Sequence, residues 1–417
     1  MSRVSIITLG CKQNKYESDC MAGILKRNGF EVLEGLQEAD IYIINTCAVT
    51  AEAEKKSRQY VQKCNKLNSN SKIIICGCAS ENNIEQFVSK SNVVSVLGTE
   101  GKQNILKYVE NAIIEKQELA TTYLSPKTPE KTTTREYIKI QDGCNNFCSY
   151  CLIPYLRGRS RCRDVEDIIE EARVIGERSH EIVLTGIDIS SFKVDGKPAL
   201  PLLMSRLKDI PALISLGSLE MNVITEELLD VLKKMPNFSP HFHLSLQSGC
   251  DEILKKMNRH YSADEFYEKV LLIKKYFPLA NITTDVIVGF GGESDEQFEV
   301  TKNFIIKCGF SFVHIFPYSK RKGTRAYDFA DIPNNIKKTR VDELEKVNVE
   351  LKNAYLSQFV GKTSVLLAEE KKVYWEGFST EYIRCYTTRE LESGKLYDIE
   401  FVEIMQDGMK VKILGER

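Results

Sequence analysis

Short apolar runs, each followed by a turn and a helix-length segment, recur along most of this chain, and that alternation restricts it to a narrow set of folds. Residues 4–9, 41–45 and 73–76 read as buried strands. Helical stretches follow at 16–28, closed by Gly29 as a C-cap, and at 50–65 and 81–88. Strands joined by crossover helices lie parallel and are covered on both faces, which explains their unbroken apolar runs. Residues 1–116 are therefore expected to form an α/β, Rossmann-like parallel-sheet domain. After an irregular connector at 117–136, marked by Pro126 and Pro129, the alternation resumes. Strands are expected near 137–140, 181–185, 214–219, 241–246, 282–288 and 311–316. Six such units are too few for an eight-stranded closure, so residues 137–356 predict a partial (β/α)6 barrel sealed by another domain. A helix over 335–359 puts Leu344, Val347, Leu351 and Tyr355 on one face. Residues 357–417 then shorten to strands at 364–367, 373–378, 382–386, 396–404 and 409–414, the pattern of a small antiparallel barrel of the oligonucleotide-binding sort.

Cysteines sit where this topology places ligands. Cys144, Cys148 and Cys151 follow the first strand of the partial barrel, close enough for three thiolates to reach one soft-metal centre. Three ligands leave a cubane iron–sulfur cluster with one open iron, whereas fully ligated clusters use four. The competing reading is a zinc site with a remote fourth ligand, for which Cys162 is the nearest candidate. Upstream, Cys11, Cys47 and Cys78 each fall just past a strand's C-terminal end, and such ends share one edge of a parallel sheet. They are either three small buried residues or a second cluster site. Gly10 and Gly77 before them serve either tight turns or close approach to a cluster. Cys20, Cys64 and Cys76 fall inside helices or a strand and read as buried apolar residues.

Thirteen cysteines in a chain of 417 residues, with no apolar run approaching a bilayer's span, place the protein in a reducing cytoplasm without membrane attachment. The net charge of −1 excludes a protein coated in positive charge, so any nucleic acid must meet local patches. Two exist: Arg157, Arg159, Arg161 and Arg163 after the cysteine loop, and Lys320, Arg321, Lys322 and Arg325 after the sixth barrel strand. Both are expected at the barrel mouth, either facing phosphates or as solvated charge runs balanced by acidic residues elsewhere. Tyr382 and Arg384 could stack on or pair with nucleotides. Glu220, Gln247 and the turn Gly289, Gly291 and Gly292 also fall at strand ends.

The combination is specific. Cys144-x3-Cys148-x2-Cys151 resembles the signature loop of radical S-adenosylmethionine enzymes, and nearly the whole chain looks like the methylthiotransferase family. Thr8-Leu9-Gly10-Cys11-Lys12-x-Asn14, Asn45-Thr46-Cys47-Ala48-Val49-Thr50, Cys151-Leu152-Ile153-Pro154-Tyr155-x-Arg157-Gly158-Arg159 and Phe316-Pro317-Tyr318-Ser319 resemble the branch acting on threonylcarbamoyladenosine in tRNA. The isopentenyladenosine branch more usually has Gln after the first cluster cysteine. The departures are Gly291 and Met221, where the family usually has proline, and Cys162, where serine is usual.

The resemblance implies two 4Fe–4S clusters, on Cys11/Cys47/Cys78 and on Cys144/Cys148/Cys151, with S-adenosylmethionine on the second. It implies methylthiolation at C2 of the threonylcarbamoyladenosine beside the anticodon, with Tyr150 packing near the adenine and no side-chain acid or base assigned. Glu220, Gln247, Gly289, Gly291 and Gly292 carry over to cofactor binding. Arg157, Arg159, Arg161, Lys320, Arg321, Tyr382 and Arg384 carry over to tRNA, with the C-terminal barrel as a TRAM-like tRNA-binding domain. A one-electron donor such as flavodoxin or ferredoxin, a sulfur source and a monomeric enzyme are expected. The alternatives are isopentenyladenosine or a ribosomal-protein aspartate as substrate, or a zinc-stabilised RNA-binding protein without catalysis.

Overall fold

The computed structural model describes residues 2–123, 129–130 and 133–417, so Pro126 and part of the expected connector lie outside the described residues. The first sheet is parallel and five-stranded. Its spatial order is Glu31–Glu34, Arg3–Thr8, Ile41–Thr46, Lys72–Gly77, Val93–Val96. Two of these strands escaped the sequence pattern: Glu31–Glu34 is a short, largely solvated edge, and Val93–Val96 has only four residues. Alternate residues feed opposite layers, as strand geometry requires. Ile41 and Ile43 pack with Met21 and Leu25, whereas Tyr42 and Ile44 pack with Val61 and Phe87. The strand order reverses between Arg3–Thr8 and Ile41–Thr46, a switch point where such sheets open a crevice at their C-terminal edge.

The second unit is an arc of six parallel strands, the third of them broken at Gly217 into Leu213–Leu216 and Ser218–Leu219. Glu136–Lys139, Glu181–Thr185 and Leu213–Leu216 form one sheet; Ser218–Leu219, His241–Gln247, Asn281–Val288 and Phe312–Pro317 form the next. Gly217 joins the two, donating its N–H to the Leu184 carbonyl at 2.9 Å. An apolar core between strands and outer helices holds the arc together, with Ile182, Leu244, Phe266 and Phe310 almost fully buried. Both edges are covered, which solves the problem of unpaired backbone on an open sheet. Helix Lys12–Arg27 lies against Glu136–Lys139, with Lys139 paired to Glu17 at 2.9 Å. Helix Asn334–Ser357 covers the other edge, where the Asn348 side chain accepts the Val313 N–H at 2.8 Å and donates to the Val313 carbonyl at 3.0 Å.

The C-terminal strands Thr363–Lys371, Trp375–Ser379, Arg384–Thr387, Leu396–Met405 and Gly408–Glu416 close into a barrel. It is not wholly antiparallel, as the sequence suggested: Arg384–Thr387 and Gly408–Glu416 pair in parallel, the contact that completes closure. This barrel docks on the N-terminal ends of the six-stranded arc. Ser239 donates to the Thr380 carbonyl at 2.7 Å and Asn281 to the Glu381 carbonyl at 2.9 Å, while Tyr382 stacks on His241 with ring centres 4.4 Å apart. It thereby seals the floor of the partial barrel. Among the described residues, no helix is long and apolar enough to cross a membrane.

Candidate active site

One cavity of about 970 Å³ runs from the C-terminal edges of both sheets down to that floor, a size suited to a sizeable ligand. Cys11, Cys47, Cys78, Cys144, Cys148 and Cys151 all line it.

The first trio is assembled by the motif residues around it. Cys11 occupies the N-cap of helix Lys12–Arg27, and Gly10 before it has φ +96. A Cβ on Gly10 would stand 2.7 Å from the Cys47 sulfur, so this glycine is required both by conformation and by close approach. Asn14 donates its side-chain amide to the carbonyls of Leu9 (2.7 Å) and Thr46 (3.0 Å), tying the first strand end to the second. Thr46 donates its hydroxyl to the Cys76 carbonyl at 2.6 Å and receives the Ala79 N–H at 3.2 Å, tying the second to the third. Thr50 caps helix Ala51–Leu67 by accepting the Ala53 N–H at 3.1 Å.

The second trio sits on a loop held from behind. Phe147 adopts a left-handed backbone, φ +48, and Asn258 donates its amide to the Asn146 and Phe147 carbonyls at 3.2 and 3.1 Å. Ser149 donates its N–H to the Met257 carbonyl at 2.9 Å. The thiols receive donors: Asn146 N–H to Cys144 and Ile153 N–H to Cys151, both at 3.4 Å, and Arg259 Nη1 to Cys148 at 3.3 Å. In the first trio, Val49 donates to Cys47 at 3.5 Å. Arg259 also pairs with Glu220, and Asn146 donates to Asp188 at 3.3 Å. Burial, then the nearby Glu220, pushes the Asp188 carboxyl up to about 6.

These residues fit iron–sulfur clusters better than a single metal ion. Burial pushes the Cys47 thiol up to about 11 and those of Cys144 and Cys151 up to about 12. As thiolates they therefore require compensating positive charge at the sulfur. A tetrahedral zinc would hold its sulfurs about 3.8 Å apart. Neither trio gathers its three sulfurs within 4.8 Å, and among the described residues only His243, Asp285 and His314 reach that closeness. The wider spread suits the corners of a multi-iron cluster. Cys162 lies off the cavity and accepts the Lys193 N–H at 3.3 Å, so it does not complete a zinc site.

Other expected site residues divide. Tyr150, Glu220 and Gln247 line the cavity, Gln247 with φ +68 and Tyr150 edge-on to Phe290. Gly289, Gly291 and Gly292 do not line it. Lys337 fills the space beside Gly289 and Phe329 that beside Gly291, so this turn packs against the protein.

The basic run after the cysteines is mostly internal. Arg157 is 1% exposed, bonded to Glu17 at 2.8 Å and Asp142 at 3.3 Å, and its charge counters the burial that raises the Cys78 thiol. Arg161 is buried against Glu100 (2.6 Å) and Asp142 (3.2 Å), and Arg163 against Glu171. Arg321 is buried against Glu54. The expectation that Arg157, Arg161 and Arg321 face phosphates is therefore corrected: acidic partners remote in sequence hold them inside. Arg159 is exposed over the Phe147 ring (4.4 Å), and Lys320 is half-buried over Tyr327. Tyr382 and Arg384 line the cavity floor. Sequence reasoning missed Arg259 and Asn258, whereas Asp188 was recognisable from its place just past the second barrel strand. Of the two missed, only the turn-favouring Asn258 carried a local signal.

Known proteins resemble the chain at three levels. Residues 3–98 match the family described as uncharacterized protein family UPF0004, and residues 138–305 match the radical SAM superfamily. The threonylcarbamoyladenosine tRNA methylthiotransferase MtaB of Bacillus subtilis is 36% identical over 89% of this chain and 85% of its own length. That of Thermotoga maritima is 34% identical over 97% and 94%. The tRNA-2-methylthio-N6-dimethylallyladenosine synthase of Dictyoglomus thermophilum is 36% identical over 89% and 88%. Among solved structures, the radical S-adenosylmethionine methyltransferase TsrM of Kitasatospora setae, with cobalamin and a [4Fe–4S] cluster bound, superposes with a TM-score of 0.59. It is 13% identical and matches 78% of this chain and 77% of its own.

Proposed function

Because the chain belongs to the radical S-adenosylmethionine methylthiotransferase family, we propose that it methylthiolates C2 of N6-threonylcarbamoyladenosine next to the anticodon of tRNA. The observation that carries this reading is the single cavity lined by both cysteine trios. The cofactors are two 4Fe–4S clusters and S-adenosylmethionine; when bound, they supply radical cleavage of an aromatic C–H and the sulfur that replaces it, chemistry beyond side-chain acids and bases. Cys11, Cys47 and Cys78 hold one cluster, and Cys144, Cys148 and Cys151 the other.

The remaining roles belong to the chain's own groups. Backbone N–H donors and Arg259 stabilise negative charge on the ligand sulfurs, and Arg157 does so beside Cys78. Glu220 and Gln247 offer polar atoms to the cofactor, and Tyr150 a ring face to the adenine. The sealed floor and covered edges limit water in the chamber, protecting a reactive intermediate. Arg159, which is exposed, and Lys320, which is half-buried, meet tRNA phosphates. Residues 1–116, 137–356 and 357–417 act as the sulfur-donating, radical-generating and tRNA-contacting units. A one-electron donor, a sulfur source, a monomeric state and cytoplasmic residence complete the assignment.

Relatives named for dimethylallyladenosine reach the same identity as those named for threonylcarbamoyladenosine, so identity does not separate the substrates. What favours the threonylcarbamoyl group is a polar floor, where His241, His243, Asn281, Thr283 and Asp285 line the cavity. These groups already bond one another, His243 to Asp285 at 3.3 Å and to Thr283 at 2.8 Å, and a polar substituent can join that network where a hydrocarbon cannot. Mass spectrometry of tRNA nucleosides from a deletion strain tests this. The methylthio-threonylcarbamoyl nucleoside should vanish. If it persists while methylthio-isopentenyladenosine is lost, the substrate assignment fails.

A further inference from the structure

Lys12 follows the first cluster cysteine at the start of helix Lys12–Arg27, and its side chain lines the cavity with exposed surface. Among the described residues it has neither a hydrogen-bond acceptor nor an ion-pair partner. It shares the cavity wall with His241 and His314, whose rings feel its charge. The other lining cations are matched. Arg157 has Glu17 and Asp142; Arg259 has Glu220; Arg384 has Glu376 and Asp407, each at 3.7 Å. Lys352 lies over the Phe312 ring at 5.0 Å and is drawn to Asp407. His243 is held by Asp285 at 3.3 Å and Thr283 at 2.8 Å. The carboxylate that attracts it, Glu181, is already paired with Arg135 at 3.0 Å, so the Lys12 ammonium on the cavity wall is left to receive an anion.

We infer that Lys12 receives the carboxylate of the substrate's N6 substituent and thereby selects a threonylcarbamoyl group over an uncharged one. This rests on the substrate proposed above. Threonylcarbamoyl ends in a carboxylate beside a hydroxyl. Lys12 supplies the charge-assisted donor, and the neighbouring Thr283, bonded to His241 at 3.0 Å, supplies neutral polar partners for the hydroxyl. A base entering a pocket leads with its edge and leaves its phosphates at the rim, so the anion that reaches this depth is carried by the base. An isopentenyl group in the same place would bury the ammonium with nothing to meet it.

The test uses the reconstituted full-length protein and anticodon stem-loop RNAs that differ only in the modified adenosine: threonylcarbamoyl acid, its methyl ester, and isopentenyl. Binding is read by fluorescence anisotropy, and S-adenosylmethionine binding by equilibrium dialysis. Wild type should bind the acid roughly tenfold or more tighter than the ester. Lys12→Gln should bring the acid down to the ester's affinity while leaving ester and S-adenosylmethionine binding unchanged; Lys12→Arg should keep part of the preference. An unchanged acid-to-ester ratio in Lys12→Gln overturns the inference. So does an equal loss for all three RNAs, which marks a phosphate contact, or a loss confined to S-adenosylmethionine. If Lys12→Gln loses iron, Lys12→Met is the second neutral variant, and the same ratio decides. Wild type preferring the isopentenyl RNA would instead overturn the substrate assignment itself.

Discussion

Arg259 donates Nη1–H to the sulfur of Cys148 at 3.3 Å while its other terminal nitrogen pairs with Glu220. A guanidinium so placed favours the more negative, reduced state of whatever Cys148 holds. Arg259→Leu should therefore retain its iron but shift the midpoint potential of that cluster negatively by on the order of 100 mV, the equivalent of one charge-assisted hydrogen bond. A redox titration followed by electron paramagnetic resonance reads this directly. An unchanged potential would mean that the arginine only shapes the loop.

The two trios should load independently. Anaerobic reconstitution should give about eight irons per chain, and replacing either trio with alanine about four. Gly10→Ala should mimic loss of the first trio alone. Its Cβ would stand 2.7 Å from the Cys47 sulfur on a backbone with φ +96, so the strand end must move. Iron analysis showing eight irons in Gly10→Ala would refute the close-approach account.

Arg157 predicts a stability phenotype. Its removal takes one cation from Glu17 and Asp142, which Lys102, Lys139 and Arg161 still meet, so the expected loss is about 1–3 kcal/mol, that of a charge-assisted hydrogen bond, measured by denaturant unfolding. Arg159→Ala should leave stability unchanged and weaken tRNA binding.

The same network sets an acid limit. Burial alone would raise both carboxyls, but Arg157, Lys102 and Lys139 outweigh it at Glu17, and Lys139, Arg157 and Arg161 at Asp142, holding both below the usual range. A depressed folded-state pKa contributes stability above the unfolded value that is lost as pH falls through the folded one. The unfolding free energy of the wild type should therefore decline from the usual carboxylate range downward. In Arg157→Leu the decline should be shallower, because part of that contribution is already absent.

Much of the fold was legible because its signals are local. The apolar runs at 41–45 and 73–76 are central strands buried on both faces, and the strand-end cysteines needed only parallel topology to meet. Glu31–Glu34 was not legible because an edge strand with two outward glutamates carries no apolar run. The arginines misled for a related reason. Alternating basic residues in a loop look alike whether water or Glu17, Glu100 and Asp142 surround them, and two of those partners, Glu17 and Glu100, come from the first domain. Arg259 had no local mark at all. Its function comes from a tertiary contact with a loop more than a hundred residues earlier.

Tyr382 stacked on His241, with the Asn281 amide on the Glu381 carbonyl, makes the last sixty residues a wall of the cavity that both cysteine trios line. The depth of that cavity is thus set by the part of the chain most distant in sequence from the first cysteines. Exchanging this module between relatives would change which nucleoside fits, even with every cluster ligand left in place.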